Sequence, residues 1–194
     1  MSQPTKARLI EAGLHMLLER GYNNLGLQAI LEETGIPKGS FYHHFVDKED
    51  FALQVIDAYI GEVHTVLDAC LGDTTQSPLA RIRKFFETVK LKYRDDGYMG
   101  CLMGGLGQEL SGTSEVFRQK IEWCFSSIAE RLAACVDDAK KRGEIAANRD
   151  SREIANLLVD CWEGAALRSR VRKTPLSLDA MLDFSMQALA RTAK

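Results

Sequence analysis

The sequence predicts an all-α protein of about nine helices: a three-helix helix-turn-helix unit at the N-terminus, followed by a larger helical domain. Apolar residues recur every three or four positions along most of the 194 residues, the period of a helix that packs against a core. Glycine, proline and capping residues interrupt this pattern at intervals, as they do at helix ends. Hydrophobic residues make up 45% of the chain, enough for a substantial buried core.

The first helix is predicted over residues 5–20, where leucines repeat at helical spacing and form an apolar stripe. Gly21 ends this helix, because glycine tolerates the left-handed backbone found at helix C-termini. The stripe must pack against the two helices that follow, so the N-terminal unit has a core of its own.

Two short helices joined by a tight turn come next. Gly35 ends the first of them. Pro37 precedes the second, at a position where its missing N–H costs little. In the second helix, residues 38–45, Phe41 and Phe45 share one side and can anchor the helix to a core.

The opposite side of this second short helix is small, polar and hydrogen-bonding, which suits the major groove of DNA. Gly39 and Ser40 permit close approach, and the neighbouring polar groups can reach phosphates or base edges. Asp47 caps the next helix, the fourth of the chain, and Lys48 is a cation in its first turn, where the helix dipole favours an acid. A phosphate beside Lys48 would explain that cation. The predicted DNA contacts are Gln28, Lys38, Gly39, Ser40, Tyr42, His43, His44 and Lys48.

The charge of the chain does not by itself favour nucleic acid. The net charge is −2, and the first 50 residues contain five Lys or Arg against seven Asp or Glu. Any positive surface must therefore be local. It is predicted to contain Lys6, Arg8, Lys38 and Lys48, with His43 and His44 as further candidates, while Glu11, Glu19, Glu32 and Glu33 face away. We expect modest non-specific affinity for DNA.

The segment GIPKGSFYHHFVDKEDF resembles the signature of the tetracycline-repressor family, which are dimeric bacterial transcription regulators. It follows the pattern G-(I/V)-x-x-G-(S/T)-(F/L)-Y-x-(H/Y)-F-x-x-K-(E/D) almost unbroken, and the likeness covers about residues 5–60. The resemblance implies a DNA-binding domain, residues 1–57, and a ligand-binding and dimerisation domain, residues 58–194. It also implies a sequence-specific repressor that a small-molecule inducer releases from a palindromic operator.

Five further helices are predicted after the recognition helix. The long fourth helix begins in the DNA-binding unit and ends in the larger C-terminal domain (the body), so it links the two mechanically. Ser77 caps the fifth helix, with Pro78 in its first turn, and Ser177 caps the last, after Pro175. The predicted ranges are 47–71, 78–93, 114–142, a helix from 150 or 151 onward, and a last helix from 177 onward.

Residues 97–107 (GYMGCLMGGLG) contain five glycines around Cys101. They do not form a phosphate-binding loop, because no Lys-Ser/Thr pair follows and no strand precedes them. Flexible, closely packed backbone is predicted instead, since glycine weakens helices and permits close approach.

The last two helices are predicted to pair with those of a second copy as a four-helix bundle. Both are amphipathic, and the small residues at 164–166 allow close packing. The alternative is that both helices only cover the monomer core; the family resemblance implies the homodimer. A two-fold pair of recognition helices would read a near-palindromic operator in double-stranded DNA, with half-sites about one helical turn apart.

A small-molecule site is expected among the central helices, as the resemblance implies. Its candidate residues are Cys101, Tyr98, Trp123 and Trp162, although such aromatics can equally be core residues. The segment 100–102 resembles the branch of the family that represses genes for N-ethylmaleimide reductase and related enzymes and senses electrophiles through a cysteine. Near a helix N-terminus the pKa of Cys101 would be lowered, favouring thiolate; a buried core thiol is the alternative. The remaining cysteines are predicted to be core residues: Cys70, Cys124, Cys135 and Cys161.

The sequence contains no motif for an enzyme, a metal site or a cofactor. Adjacent His43 and His44 point about 100° apart on a helix and make a poor chelate, and no nucleophile motif or carboxylate pair is present. No apolar run approaches a membrane span, and the start lacks the apolar centre of a signal peptide, so a cytoplasmic protein is expected. The alternative function is a helical ligand-binding or protein-interaction module without specific DNA binding. The excess of acidic residues in the N-terminal unit, residues 1–57 (the headpiece), would favour this alternative.

Overall fold

The structure, a computed structural model, describes residues 5–190, and the chain forms nine α-helices within that range. This confirms the predicted all-α fold. The helices are α1 Thr5–Arg20, α2 Leu27–Thr34, α3 Lys38–His44, α4 Lys48–Leu71, α5 Pro78–Asp95, α6 Leu102–Leu110, α7 Glu115–Lys141, α8 Ser151–Arg172 and α9 Leu176–Leu189.

Three phenylalanines hold the short helix α3 in place. Its seven residues are too few for a stable isolated helix. Phe41 and Phe45 are each 1% exposed and pack against Phe51 of α4, with ring centroids 5.3 and 4.9 Å away. The turn before α3 is built as predicted, because Gly35 has φ 64° at the end of α2. The first turns of α4 are therefore part of the core that supports α3.

Most of the predicted helix caps are present. The Asp47 carboxylate accepts a hydrogen bond from the Asp50 N–H at 2.8 Å, and the Asp150 carboxylate accepts one from Glu153 at 2.8 Å. Ser77 caps α5 in the same way, through its hydroxyl oxygen. These contacts fix where α4, α5 and α8 begin.

The predicted cap of the last helix is wrong. Helix α9 begins at Leu176, so Ser177 lies inside it rather than before it. Pro175 has φ −76° and ψ −7°, which are nearly helical angles, and the chain therefore enters the helix directly after the proline. The hydroxyl of Thr174 accepts the hydrogen bond from the Leu176 N–H, at 3.2 Å.

The second half of the glycine-rich segment, from Leu102 onward, is helical, contrary to the prediction of flexible backbone. Helix α6 contains three glycines, and a buried leucine- and methionine-rich face supplies the stability that its helix propensity lacks. That face consists of Leu102, Met103, Leu106 and Leu110. The predicted close packing is present at Gly104, where a Cβ atom would collide with the Glu163 carboxylate.

The buried core has two parts that meet near the start of α6. The headpiece core joins α1–α3 and the first half of α4 to α6 and the first half of α7. The body core joins the end of α4 to α5, the second half of α7, α8 and α9. Cys101, Phe125 and Ile128 pack against both parts. A change at Cys101 therefore acts on both cores.

Candidate DNA-reading face and ligand cavity

Helix α3 presents its predicted contact residues on the side opposite its phenylalanine anchors. Tyr42 is 50% exposed, whereas the neighbouring Phe41 is 1% exposed. Lys38, Gly39 and His43 are exposed, and Ser40 and His44 are half-buried. The helix thus has a polar face that can enter a major groove without unpacking its core.

Lys48 is held at the edge of this face by an aromatic ring. Its Nζ atom lies 4.4 Å from the ring centroid of Tyr22, a cation–π contact. The same tyrosine stacks on Phe117 of α7, with centroids 5.0 Å apart. The backbone N–H groups of Tyr22 and Asn23 donate to the Glu109 carboxylate of α6, at 2.8 and 2.6 Å. Sequence reasoning missed this arrangement, because all its partners are distant in the chain.

Two charged side chains of the headpiece are placed differently from the prediction. The Arg8 guanidinium donates to the carbonyl oxygen of Thr34 at 2.6 Å, so it serves the C-terminus of α2 rather than a free positive surface. Glu32 does not face away from the predicted contacts, because its carboxylate accepts a hydrogen bond from the Gln28 amide at 2.9 Å. Gln28 must leave Glu32 before it can reach a phosphate.

Two cavities lie on either side of Cys101. The first, about 40 Å³, is enclosed by α4, α5, α7, α8 and the start of α6, and its lining is largely apolar. The second, about 200 Å³, lies between α6 and α8. Cys101 and Glu163 line both cavities, so a molecule in either would meet the thiol and the carboxyl group.

Cys101 is at the N-terminus of α6, yet its pKa is raised rather than lowered. Burial is the larger cause, and the neighbouring Glu163 carboxyl adds to it, because both disfavour the thiolate. The Gly104 backbone N–H lowers this pKa, as does the Tyr59 hydroxyl, whose oxygen lies 3.6 Å from the sulfur, but together they offset only part of the rise. The prediction of a resting thiolate is therefore wrong, and Cys101 rests as a neutral thiol.

Glu163 is a half-buried acid that sequence reasoning missed. Burial raises its pKa to about 7, and among the described residues only the interaction with Cys101 lowers that pKa. A signal was present in the sequence: Glu163 lies four residues after Val159 and three before Ala166, both buried on one side of α8. A titratable side chain on the buried face of a helix indicates a candidate functional site, because its pKa is shifted there.

Among the other candidates for the ligand site, the structure brings only Trp162 to the first cavity. Trp162 is 5% exposed and stacks on Phe86 with ring centroids 4.8 Å apart. Tyr98 is half-buried and packs against the body core. Trp123 is 55% exposed and contacts the His64 ring, away from both cavities. Tyr59 belongs to the site although the sequence did not single it out.

Helices α8 and α9 expose a large apolar face. A groove of about 660 Å³ runs between them and is lined by Leu157, Cys161 and Phe184, among others. Phe184 is 74% exposed. Cys161 is exposed as well, so its predicted core position is wrong: it lies one residue, about 100°, from the buried Trp162. The other three cysteines predicted to be core residues, Cys70, Cys124 and Cys135, are buried.

Within residues 5–190, none of the helices combines the length and the apolar character needed to cross a lipid bilayer.

Comparison with known proteins finds family models over both halves of the chain. Residues 9–55 match the model for bacterial regulatory proteins of the tetR family, and residues 78–184 match the tetracyclin repressor-like C-terminal domain. These two ranges contain the helix-turn-helix unit and most of the helical body.

Individual proteins match over most of their length. The transcriptional regulator AcuR of Cereibacter sphaeroides is 37% identical over 168 residues, which are 86% of this chain and 77% of AcuR. The transcriptional repressor NemR of Escherichia coli is 24% identical over 97% of this chain and 96% of its own. Among solved structures, the regulatory protein TetR from Rhodobacter sphaeroides has a TM-score of 0.91 at 34% identity, covering 95% of this chain and 98% of that one.

Proposed function

Because the chain belongs to the tetracycline-repressor family of bacterial regulatory proteins, we propose that it acts as a homodimeric repressor that a small electrophile releases from its operator. Like its relatives, the chain is a helix-turn-helix transcription regulator and not an enzyme. The operator, the dimer and the electrophile are the proposal. Residues 1–57 would read DNA, and residues 58–194 would bind the ligand and form the dimer.

The position of Cys101 carries the proposal. Its thiol lines two cavities, and its side chain packs against both the headpiece core and the body core. A covalent adduct at this residue adds atoms where the two cores meet, and close-packed interiors do not absorb added volume without rearrangement. An adduct would therefore favour a different position of the headpiece. The operator is released if the headpiece binds it less tightly in that position.

The proposed DNA contacts are those predicted from the sequence: Gln28, Lys38, Gly39, Ser40, Tyr42, His43, His44 and Lys48. The exposed polar side of α3 supports base reading by this helix. The position of Lys48 beside Tyr22 supports a phosphate contact at the start of α4. A protein that acts on chromosomal DNA in this way would work in the cytoplasm.

The apolar face of α8 and α9 supports dimerisation. A contiguous apolar surface that contains Phe184 and Leu157 is unfavourable in water and marks an interaction site. A symmetric partner that presents the same face would cover it with a four-helix bundle. The two-fold axis of such a dimer would relate two α3 helices, which would then read a near-palindromic operator.

The test is fluorescence anisotropy of the purified protein with DNA from upstream of its own gene, against a scrambled duplex, at two salt concentrations. We expect tight binding to the native duplex that weakens with salt, because phosphate contacts release counterions. Equally weak binding to the native duplex, the scrambled duplex and fragments selected from the whole genome would contradict a sequence-specific repressor.

A further inference from the structure

Cys101 and Glu163 both lie beside Gly104 on α6, where the absence of a side chain leaves room for the carboxyl group. Gly104 lies one turn after the cysteine, and a Cβ atom built there would collide with the Glu163 carboxylate and lie 3.8 Å from the Cys101 Cβ. A residue larger than glycine at position 104 would thus displace the carboxyl group. The space above the first turn of α6 is occupied by Glu163, which interacts with the thiol.

Among the ionisable groups around this thiol, Glu163 is the one suited to exchange a proton near neutral pH. Burial raises the pKa of Tyr59 and of Tyr93 well above their usual value, and it raises the pKa of Cys124 to about 12. Arg170, at the wall of the second cavity, donates a hydrogen bond to the Met99 carbonyl oxygen at 3.1 Å.

We propose that Glu163 is the proton-transfer residue for alkylation of Cys101 by a small, uncharged electrophile. This inference rests on the proposed function, because it specifies how the sensor thiol reacts and with which class of electrophile. A neutral thiol is a poor nucleophile, and a neighbouring base removes that obstacle.

With acrylamide, whose carbon–carbon double bond is conjugated to a carbonyl group, the reaction balances without any oxidant or reductant. As the sulfur attacks the terminal alkene carbon, the S–H proton passes to the Glu163 carboxylate and a sulfur–carbon bond forms. The π electrons of the double bond move toward the carbonyl oxygen, giving an enolate. Glu163 then returns the proton to the carbon next to the carbonyl, so the product is a thioether and the carboxylate is regenerated.

The surroundings favour an uncharged ligand. An anion would lie next to the Glu163 carboxylate in an apolar cavity, where both repulsion and lost hydration oppose it. The hydroxyl of Tyr59 keeps its proton and lies 3.6 Å from the sulfur. It is available to donate a hydrogen bond to the developing enolate oxygen.

The experiment follows alkylation of Cys101 by acrylamide in the full-length protein, with the Cys101 peptide quantified by mass spectrometry. Glu163→Gln should slow the reaction at pH 7 by about 100-fold, the usual contribution of a general base. Glu153→Gln, an exposed position on the same helix, should react like the unaltered protein. If Glu163 only raised the pKa of the thiol, its removal would speed the reaction, and that result would overturn the proposal.

The unaltered protein provides a second test that does not depend on a variant folding. Its alkylation rate should level off above about pH 7, once Glu163 is ionised. A rate that instead rises tenfold per pH unit up to pH 9 would mean that the free thiolate reacts, and would overturn proton transfer by Glu163.

The charge preference is tested by comparing acrylamide with acrylate, which has nearly the same shape. Each rate is divided by the rate of the same compound with glutathione, and the ratio should be at least tenfold higher for acrylamide. Equal ratios would overturn the uncharged ligand class. If Cys101 of the unaltered protein does not react at all, electrophile sensing fails too; if it reacts and Glu163→Gln reacts faster, only the proton-transfer role fails.

Discussion

At the residue scale, Lys48 is the most direct test of how the headpiece holds DNA. Lys48→Ala should weaken binding to operator and scrambled DNA by similar factors, because a phosphate contact carries no sequence information. The slope of log affinity against log salt should fall by about 0.9 for each half-site. Anisotropy titrations at several salt concentrations measure both quantities.

The matched control is Lys141→Ala, an exposed lysine at the end of α7 in the body. Surface ion pairs of this kind contribute little to stability, so neither the affinity nor the salt slope should change. A Lys48→Ala protein that altered only the preference between DNA sequences would assign base reading, not phosphate contact, to this residue.

Glu163 should also make the stability of the protein depend on pH. Its pKa is raised from 4.5 to about 7 in the folded protein, so the folded state binds its proton more tightly than the unfolded state does. This contribution favours folding at low pH and is lost as the pH rises from about 4.5 to about 7, a loss of about 3 kcal/mol. The change in unfolding free energy caused by Glu163→Gln should therefore be more favourable to the folded state at pH 8 than at pH 5.

Urea unfolding at pH 5 and pH 8, at one protein concentration, measures this difference. The other titratable groups are common to both proteins, so they largely cancel when the variant is compared with the unaltered chain. A difference in unfolding free energy that is the same at both pH values would contradict the raised pKa of Glu163.

At the element scale, α6 connects the ligand cavities to the DNA-binding unit. Its N-terminus holds Cys101, and near its C-terminus Glu109 accepts hydrogen bonds from the backbone of Tyr22 and Asn23. Tyr22 in turn contacts the Lys48 ammonium group. A shift of this short helix would therefore move the turn that supports the proposed phosphate contact of Lys48.

Glu109→Gln should weaken this connection more than it weakens the fold, because the half-exposed carboxylate loses its charge but keeps its size. We expect the fraction of alkylated Cys101 at which half of the DNA is released to be several-fold higher than in the unaltered protein. Glu122→Gln, on the exposed side of α7, is the control. Release curves that coincide for all three proteins would exclude α6 as the connection.

The same helix shows how far sequence reasoning reaches. The caps at Asp47 and Ser77 were predictable because their chemistry is local, and so was the division of α3 into a buried and an exposed side. Helix α6 was missed because its stability comes from burial against distant residues rather than from propensity. The contact between Cys101 and Glu163 spans 62 positions of the printed sequence, so no local pattern could place the acid beside the thiol. The raised pKa of Cys101 follows first from burial and then from the neighbouring Glu163.

At the scale of the whole molecule, DNA reading should depend on the apolar face of α8 and α9. Phe184→Glu places a charge in the centre of this face and should convert a dimer of two 21.6 kDa chains to monomers. Specific DNA binding should be lost with it, since one short recognition helix makes too few base contacts. Sedimentation equilibrium and anisotropy measure the two effects.

Val116→Glu is the control for a charge introduced at an exposed apolar position elsewhere. Val116 is 51% exposed on α7, outside the α8–α9 face. That variant should keep both the dimer and the affinity for DNA. A Phe184→Glu protein that remained dimeric would show that another surface joins the two copies.

The central claim is that a covalent change at Cys101 releases DNA, and the most direct measurement is release of the native upstream duplex by acrylamide. The unaltered protein should dissociate as its Cys101 peptide becomes alkylated. Cys101→Ser should bind the duplex with the same affinity and remain bound, whereas Cys161→Ser, which removes an exposed thiol, should respond like the unaltered protein. A Cys101→Ser protein that acrylamide releases as readily as the unaltered chain would contradict the account.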